Sequence, residues 1–390
     1  MGIDPYTPGA GRRPGVFVGR DLQFAVVLAA ANQFEAGYES ENIIFHGLRG
    51  VGKTVFLREV AERLRERGWL CGYSAVRHDV DAGVAVANLI GEGVKLLAPG
   101  SRLARYAQRL SVRLGGASLT VGPGGATFEV RTDGSPRDLH SDLVDVLRRL
   151  GEHAREDGTG VALLVDEMQE LKRSDMAALI DAAGAVNTLP VLLIGAGLPH
   201  LPAELAAACT WAERLRYESL GMLSDQAVRR AVNEVADLFG VSFSEDALNL
   251  VITEAEGYPY FVQLFASEGW RAAGSPSDRP GTVIGLDHVA SAVPAVKRQL
   301  AAGMFPARYA KATPAEREYL RAMAHLQAAD PSSGVRSGDI AGALGKSLQA
   351  LSPHRDGLIK KGIVFSPSKG VLEFSAPGFA AYVLWQADDQ

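Results

Sequence analysis

The chain has little cysteine: Cys71 and Cys209 are the 2 cysteines in 390 residues. They stand far apart and in no ligand spacing. That excludes a disulfide framework and a cysteine-based zinc site, and it fits a reducing compartment. Charge of one sign is not in large excess. With 40 Lys and Arg against 45 Asp and Glu, the formal net charge is −5, so no long-range pull toward nucleic acid follows and any such surface has to be local. Long apolar runs are missing too. Residues 25–31 form the longest stretch near the N-terminus; it is too short to span a bilayer and reads as the buried side of a first helix. Residues 1–15 are rich in Gly and Pro, carry Arg12 and Arg13, and lack the apolar core of a signal peptide. The expectation is a cytoplasmic protein with no membrane association. No His/Cys/Asp cluster has metal-ligand spacing, no G-x-S-x-G or comparable nucleophile motif occurs, and there is no internal repeat or low-complexity tract.

What is present is an ordinary globular composition, 47% hydrophobic and 22% charged, in a chain long enough for two or three domains with a sizeable core. Residues 42–45 are a short β-branched and aromatic run and read as a buried strand. A Gly-rich turn follows, then helical spacing of Val55, Leu57, Val60 and Leu64 over 55–67. Strand 69–76 and helix 84–97 come next. From 99 to 136 the pattern changes: Arg102, Arg105, Arg109 and Arg113 sit among apolar residues, and 117–121 and 126–130 alternate around Gly122-Pro123-Gly124-Gly125. This region reads as an insertion containing a hairpin. A helix over 136–155, an apolar strand 161–165 ending in Asp166-Glu167, a helix through Val186 capped by Ser174, and a strand 190–194 complete an alternation that predicts a parallel α/β sheet. After 218 strand signals stop. Segments 224–239, 244–255, 260–273 and 286–304 read as helices, with Ser224 and Ser244 as N-caps. Loop 274–281 is Gly-, Ser- and Pro-rich. Thr313-Pro314-Ala315-Glu316 is a capping box with proline at the first helical position.

The chemistry is carried by Gly47-Leu48-Arg49-Gly50-Val51-Gly52-Lys53-Thr54, a full match to G-x-x-x-x-G-K-[ST] between a strand and a helix. Glycines let backbone N–H groups turn toward phosphates, and the helix start adds its positive dipole end. Lys53 is expected at the β- and γ-phosphates of ATP or ADP, and the Thr54 hydroxyl on Mg2+. Asp166 ends an apolar strand, at the sheet edge where ligands bind in open α/β folds. It would help hold Mg2+, while Glu167 would orient or deprotonate the attacking water. A chance Gly-rich turn and a solvated Asp-Glu pair are the bland alternatives; the two motifs together in one chain argue against both. His46, just before the loop, reads as packed or solvated rather than catalytic.

Other segments carry a resemblance. Phe17-Val18-Gly19-Arg20 lies upstream of the P-loop. Gly257-Tyr258-Pro259-Tyr260-Phe261 falls in the helical stretch after 218. Tyr6-Thr7-Pro8-Gly9-Ala10-Gly11 and Gly195-Ala196-Gly197-Leu198-Pro199 add to the pattern. Over nearly its whole length the chain resembles bacterial AAA+ ATPases related to the origin-recognition and cell-division-control initiators. The resemblance implies an α/β P-loop core over 1–217 with the insertion at about 99–136, a helical lid over 218–304 and a winged-helix domain over 305–390. It implies that Phe17 and Val18 flank the adenine, that Pro259 joins them from the lid, and that Val55 lies beside the phosphate loop. An arginine after the fourth strand can reach a neighbour's nucleotide in such families. Arg214 is the candidate, acting in a homo-oligomer, although the alternation of Glu213-Arg214-Leu215-Arg216-Tyr217 favours the exposed face of an edge strand, with Leu215 and Tyr217 inward. Two departures stand out. Gly195-Ala196-Gly197 occupy the place of a polar sensor residue, and the Gly257-Tyr258-Pro259 segment brings no arginine toward the γ-phosphate. Both point to slow hydrolysis, with nucleotide used as a switch.

Residues 335–344, Gly345 and 347–361 read as helix–turn–helix, with 363–366 and 371–374 as a wing hairpin. Lys346, Arg355, Lys360 and Lys361 sit on or beside the second helix and Lys369 at the wing tip. The leading expectation is engagement of double-stranded DNA or a DNA-bound complex; because acids nearly balance bases here, the alternative is a protein partner. A third reading is a module that holds ADP without turnover.

Overall fold

The computed structural model describes residues 3–9, 11–76, 82–97, 100–114, 117–122, 125–130, 138–331 and 333–388. The chain divides into two compact units, one of Arg20–Gly47 and Lys53–Leu220, the other of Met1–Gly19, Leu48–Gly52 and Gly221–Gln390. This division differs from the sequence-level spans 1–217, 218–304 and 305–390, because the N-terminal segment packs with the helices after 220.

The first unit runs α1 (Asp21–Glu35), β1 (Ile43–His46), α2 (Lys53–Glu66), β2 (Leu70–Ala75), α3 (Ala82–Leu96), α4 (Arg102–Ala107), β3 (Ser111–Leu114), β4 (Ala117–Gly122), β5 (Gly125–Val130), α5 (Leu139–Glu156), β6 (Val161–Asp166), α6 (Arg173–Ala185), β7 (Val191–Gly197), α7 (Leu201–Ala208) and β8 (Arg216–Ser219). Five strands form one sheet in the order β2-β6-β7-β1-β8, with each neighbouring pair parallel. β6 and β7 are buried at every position, as strands covered on both faces must be. Helix α3 lies so close on β2 that a Cβ at Gly72 would sit 1.8 Å from the Leu89 carbonyl oxygen. The insertion holds the expected hairpin β4–β5 and one strand more, since β3 pairs antiparallel with β4. The turn at 123–124 and the helix start expected at 136 lie outside the described residues. Ser174 does not cap α6: the N-cap is Lys172, so Ser174 already lies inside the first turn, where its hydroxyl donates to Asp175.

The second unit continues with α8 (Asp225–Asp237), β9 (Ser242–Phe243), α9 (Glu245–Ala255), α10 (Pro259–Ala272), β10 (Val283–Ile284), α11 (Leu286–Ala302), α12 (Met304–Tyr309), α13 (Pro314–Ala329), β11 (Val335–Arg336), α14 (Ser337–Leu344), α15 (Leu348–Lys360), β12 (Val364–Phe365), β13 (Val371–Phe374) and α16 (Phe379–Asp388). Ser224 and Ser244 cap α8 and α9 through their side chains. The expected end of strands after 218 is corrected by β9 and β10, a two-residue parallel pair. The N-terminal segment is anchored by Tyr6, whose hydroxyl donates to the Val232 carbonyl at 2.8 Å, and by Asp4, which accepts from Ser267 and Arg271. Thr313 and Glu316 form the capping box of α13. α14, Gly345 at φ +59° and α15 follow, with the three short strands ordered β11-β13-β12. Helix α16 packs on α13 through Phe379, Tyr382 and Val383. Among the described residues no helix is long and apolar enough to cross a membrane.

Candidate nucleotide site

Strand β1 delivers the chain at His46 to the C-terminal edge of the sheet, and α2 begins at Lys53. Between them Gly50 and Gly52 take φ of +91° and +95°, a region open to glycine and strained for other residues. Such turns let backbone N–H groups line a concave anion site. The Lys53 ammonium is buried, 6% exposed, and donates to the Gly47 carbonyl at 2.9 Å.

Thr54, the next residue on α2, donates its hydroxyl to Asp166 Oδ2 at 2.5 Å. The same oxygen accepts from the Tyr73 hydroxyl of β2 at 2.9 Å, and Asp166 Oδ1 accepts from the Glu167 amide at 2.9 Å. Asp166 is 1% exposed. Burial pushes its carboxyl above the usual range and Glu167 adds to that, while Thr54, Tyr73 and Lys53 oppose it. Tyr73 is raised as well, by burial and then by Asp166. Glu167 follows the strand in a left-handed conformation, φ 54° and ψ 42°. Its Oε2 accepts from Gln169 Nε2 at 2.6 Å. Thr54 and Asp166 supply hard oxygen donors. Mg2+ commonly takes one or two carboxylates beside phosphate and water, so this pair suits it: they would hold the ion, which neutralises phosphate charge when bound.

In the second unit the loop is gripped from outside. Tyr258, 1% exposed, donates its hydroxyl to the Arg49 carbonyl at 2.7 Å, and a Cβ on Gly50 would lie 1.9 Å from that hydroxyl. Tyr258 in turn accepts from Arg308 of α12 at 2.7 Å. Arg308 also donates to the Ser375 hydroxyl, which donates to the Gly362 carbonyl. Pro259 is the first residue of α10, and Gly257 must be small because a Cβ there would meet the Leu223 carbonyl at 2.3 Å.

Of the remaining sequence candidates, Val18 is buried among apolar residues of the second unit and Phe17 is half-buried. Leu48 and Val55 are half-buried and Val51 is buried. His46 has its pKa lowered by burial, with Lys53 adding and Glu218 opposing; the neutral imidazole fits the packed reading. Arg214 lies in the short 3-10 turn Thr210–Arg214 rather than in β8, its guanidinium 4.2 Å over the Trp211 ring. Arg216 pairs with Glu218 at 2.8 Å. At the C-terminus Lys346 pairs with Glu318 and Arg355 with Asp356, both at 2.9 Å. Lys361 pairs with the buried Glu316. Lys360 and Lys369 are exposed and, among the described residues, have no ion-pair partner. The sequence did not single out Tyr73 and Gln169 beside the acidic pair, nor, in the second unit, Arg308 beside Tyr258. Only Gln169 carried a local signal, two residues beyond Glu167.

A parallel β2-β6-β7-β1-β8 sheet with a phosphate loop after β1 and an acidic pair after β6 is the α/β P-loop fold of AAA+ ATPases. Residues 16–194 match the model of the AAA ATPase domain. Residues 302–383 match a family described as a domain of unknown function (DUF8462). No curated protein matches the chain in sequence. Among solved structures, the Walker-type ATPase PABY2304 of Pyrococcus abyssi is similar at 15% identity and TM-score 0.60, over 96% of this chain and 97% of that one. The Aeropyrum pernix Orc1 protein in complex with DNA is similar at 16% identity and TM-score 0.46, over 96% and 94%. The Thermotoga maritima RuvB Holliday junction branch migration motor is similar at 13% identity and TM-score 0.45, over 92% of each chain.

Proposed function

We propose that this protein is a nucleotide-dependent switch that binds ATP with Mg2+ at Gly47–Thr54 and hydrolyses it slowly to ADP and phosphate. The observation that carries the reading is the bond from Thr54 to Asp166, which joins the phosphate-loop helix to the acidic pair at the end of β6. Lys53 neutralises the β- and γ-phosphates, and Glu167 orients and deprotonates the attacking water. Gly195, Ala196 and Gly197 place no polar side chain at the end of β7, which supports slow turnover. Phe17, Val18 and Pro259 flank the base.

The C-terminal region, read as a winged helix, engages double-stranded DNA or a DNA-bound complex through the exposed Lys360 and Lys369, with Lys346 and Arg355 released from their surface pairs. A protein partner is the second reading. It is favoured by the carboxylates that already face Lys346, Arg355 and Lys361. Arg214 acts across subunits if the protein works as a homo-oligomer. The setting is the cytoplasm.

The test is a pair of variants. Lys53→Ala is expected to abolish ATP binding by calorimetry. Glu167→Gln is expected to bind ATP and to lose hydrolysis by about 10²–10⁴-fold, the range for a general base. Unchanged binding in the first, or an unchanged rate in the second, overturns the assignment.

A further inference from the structure

The sheet edge holds a second connection that ends on Glu167. Gln169 sits in the 3-10 turn Met168–Glu170 that follows β6. Its Nε2 donates to Glu167 Oε2 at 2.6 Å, and its Oε1 accepts from the backbone N–H of Leu198 at 3.2 Å, just past the end of β7. The amide has one orientation here. Leu198 N–H is a donor and needs the oxygen, which leaves the NH2 for the carboxylate.

The Gly197–Leu198 peptide that receives Gln169 has its other side engaged. The Gly197 carbonyl accepts from the N–H of Gly47, the first residue of the phosphate loop, at 3.1 Å. One rigid peptide plane therefore lies between the loop and Gln169, since the two groups of a planar amide turn together. Gly197 has to be small for this to exist. A Cβ there would lie 2.5 Å from Gln169 Oε1 and 2.6 Å from Leu201 Cδ2. The missing polar side chain at the end of β7 and the presence of Gln169 are thus one arrangement: the strand contributes a backbone N–H where a side chain would have blocked the amide.

Glu167 also stands in a left-handed backbone conformation that is strained for glutamate. Such a conformation persists only when surrounding contacts over-determine it, and Gln169 supplies one of them. Holding Oε2 restrains rotation of the carboxylate, which is what a base aimed at a water needs.

We infer that Gln169 is a positioning residue for Glu167, registered to the phosphate loop through the Gly197–Leu198 peptide. The inference rests on the reading of Glu167 as the catalytic carboxylate. It adds the way in which the loop and the base are kept in step.

The experiment measures ATP turnover and ATP affinity for Gln169→Ala, Gln169→Glu, Glu167→Gln and the double variant Gln169→Ala/Glu167→Gln, using the full chain. Gln169→Ala is expected to lower kcat by roughly 10- to 100-fold, the scale of a base displaced by about an ångström, with ATP affinity within about twofold of the parent because Gln169 belongs to no phosphate contact. In the Glu167→Gln background the same change is expected to cost nothing further, a non-additivity that a merely structural role would not produce. The isosteric Gln169→Glu keeps the turn folded but replaces the NH2 donor with a carboxylate oxygen that cannot donate to Glu167, so kcat is expected to fall while ATP affinity holds. Parent-like kcat in Gln169→Ala, or full additivity in the double variant, overturns the positioning role while Glu167 stands. Should Gln169→Ala fail to fold, parent-like kcat in Gln169→Glu overturns it. Wild-type turnover by Glu167→Gln instead sinks the reading of the base and the inference with it.

Discussion

Replacing Tyr258 with Phe removes one oxygen from a side chain that is 1% exposed, and that oxygen has two duties. It donates to the Arg49 carbonyl at 2.7 Å and accepts from Arg308 Nη2 at 2.7 Å. Arg308 is itself 8% exposed, and among the described residues no carboxylate pairs with it. Burial lowers its pKa, with Arg49 adding and Tyr258 opposing. A guanidinium stays charged in proteins, so this cation is stabilised by the tyrosine, by Ser375 at 2.9 Å and by a longer contact to Arg49 O at 3.4 Å. A hydrogen bond to a charged group contributes about 1.5–3 kcal/mol and a neutral one about 1 kcal/mol, so Tyr258→Phe should cost roughly 3 kcal/mol. For a unit of about 150–250 residues that is a fall of roughly 6–12 °C in Tm. Thermal melts of the nucleotide-free protein read it, with Arg308→Met as partner in a double-mutant cycle. Methionine removes the buried charge, so Tyr258→Phe should cost about 1.5–3 kcal/mol less in that background. A Tyr258→Phe protein as stable as the parent, or additive losses in the cycle, would refute the account of Arg308 as a charge held by the tyrosine on the phosphate loop.

Two carboxylates should give opposite pH dependences. Asp166 has a raised pKa in the folded chain, so the native state binds its proton first on acidification; relative to Asp166→Asn, the parent should gain stability as pH falls through that raised value toward the ordinary aspartate range. Melts of both proteins across pH read the difference, and a flat difference contradicts the shift. Glu316 runs the other way: burial alone would raise it, but Lys361 and Thr313 hold it below the usual range, so its stabilisation is present above that range and lost as pH falls through the lowered value. Lys361→Ala should therefore destabilise the fold at neutral pH and lose that penalty in acid; stability equal to the parent at neutral pH would show the pair to be idle. For DNA, Lys360→Ala with Lys369→Ala should lower the slope of log K against log salt by about two, at about 0.9 per contact, in anisotropy titrations with a duplex. No change in slope removes both lysines from the interface.

The parts legible in the sequence are those whose chemistry is local. A strand, Gly47 to Thr54 and a helix occupy consecutive residues, and the turn demands glycine at Gly50 and Gly52 whatever surrounds it. Ser224, Ser244 and the Thr313–Glu316 box cap helices within three residues of themselves, so spacing suffices to find them. Ser174 failed as a cap because the helix starts one residue before it, at Arg173 with Lys172 as N-cap, a boundary that composition does not fix. The two-residue strands β9 and β10 are too short for any periodicity, and β3 is seen as a strand through its pairing with β4. Helix α16 has apolar residues with no capping signal before it. The grip on the phosphate loop was invisible for a different reason: Tyr258 and Arg49 are 209 residues apart and Arg308 is 50 beyond Tyr258. Nothing in the pattern of Gly257-Tyr258-Pro259 says that a hydroxyl will be spent on a carbonyl. The same holds for Lys361, whose partner lies 45 residues away; as sequence it is one more basic residue at a helix end.

That pairing changes what the C-terminal cations can do, because the three ion pairs are not equivalent. Lys346 with Glu318 and Arg355 with Asp356 have partners that are 43% and 55% exposed at the side chain. Exposed pairs contribute about 0–1 kcal/mol, so a phosphate can compete for either cation at small cost. Glu316 is 6% exposed at its side chain, and pulling Lys361 away would leave a buried carboxylate without its cation, the expensive way to break such a pair. Of the five cations singled out at the C-terminus, Lys361 thus belongs to the fold of this region, which leaves four for a ligand, two of them without an ion-pair partner among the described residues. Four phosphate contacts give a salt slope of about 3.6 and two give about 1.8. Between 50 and 200 mM salt, two contacts lose only about tenfold in affinity, against the thousandfold or more of proteins with six to ten contacts. Binding carried by these four cations alone would therefore depend only weakly on salt. A measured slope well above about 3.6 would show that other cations of the chain, or further copies of it, share the contact.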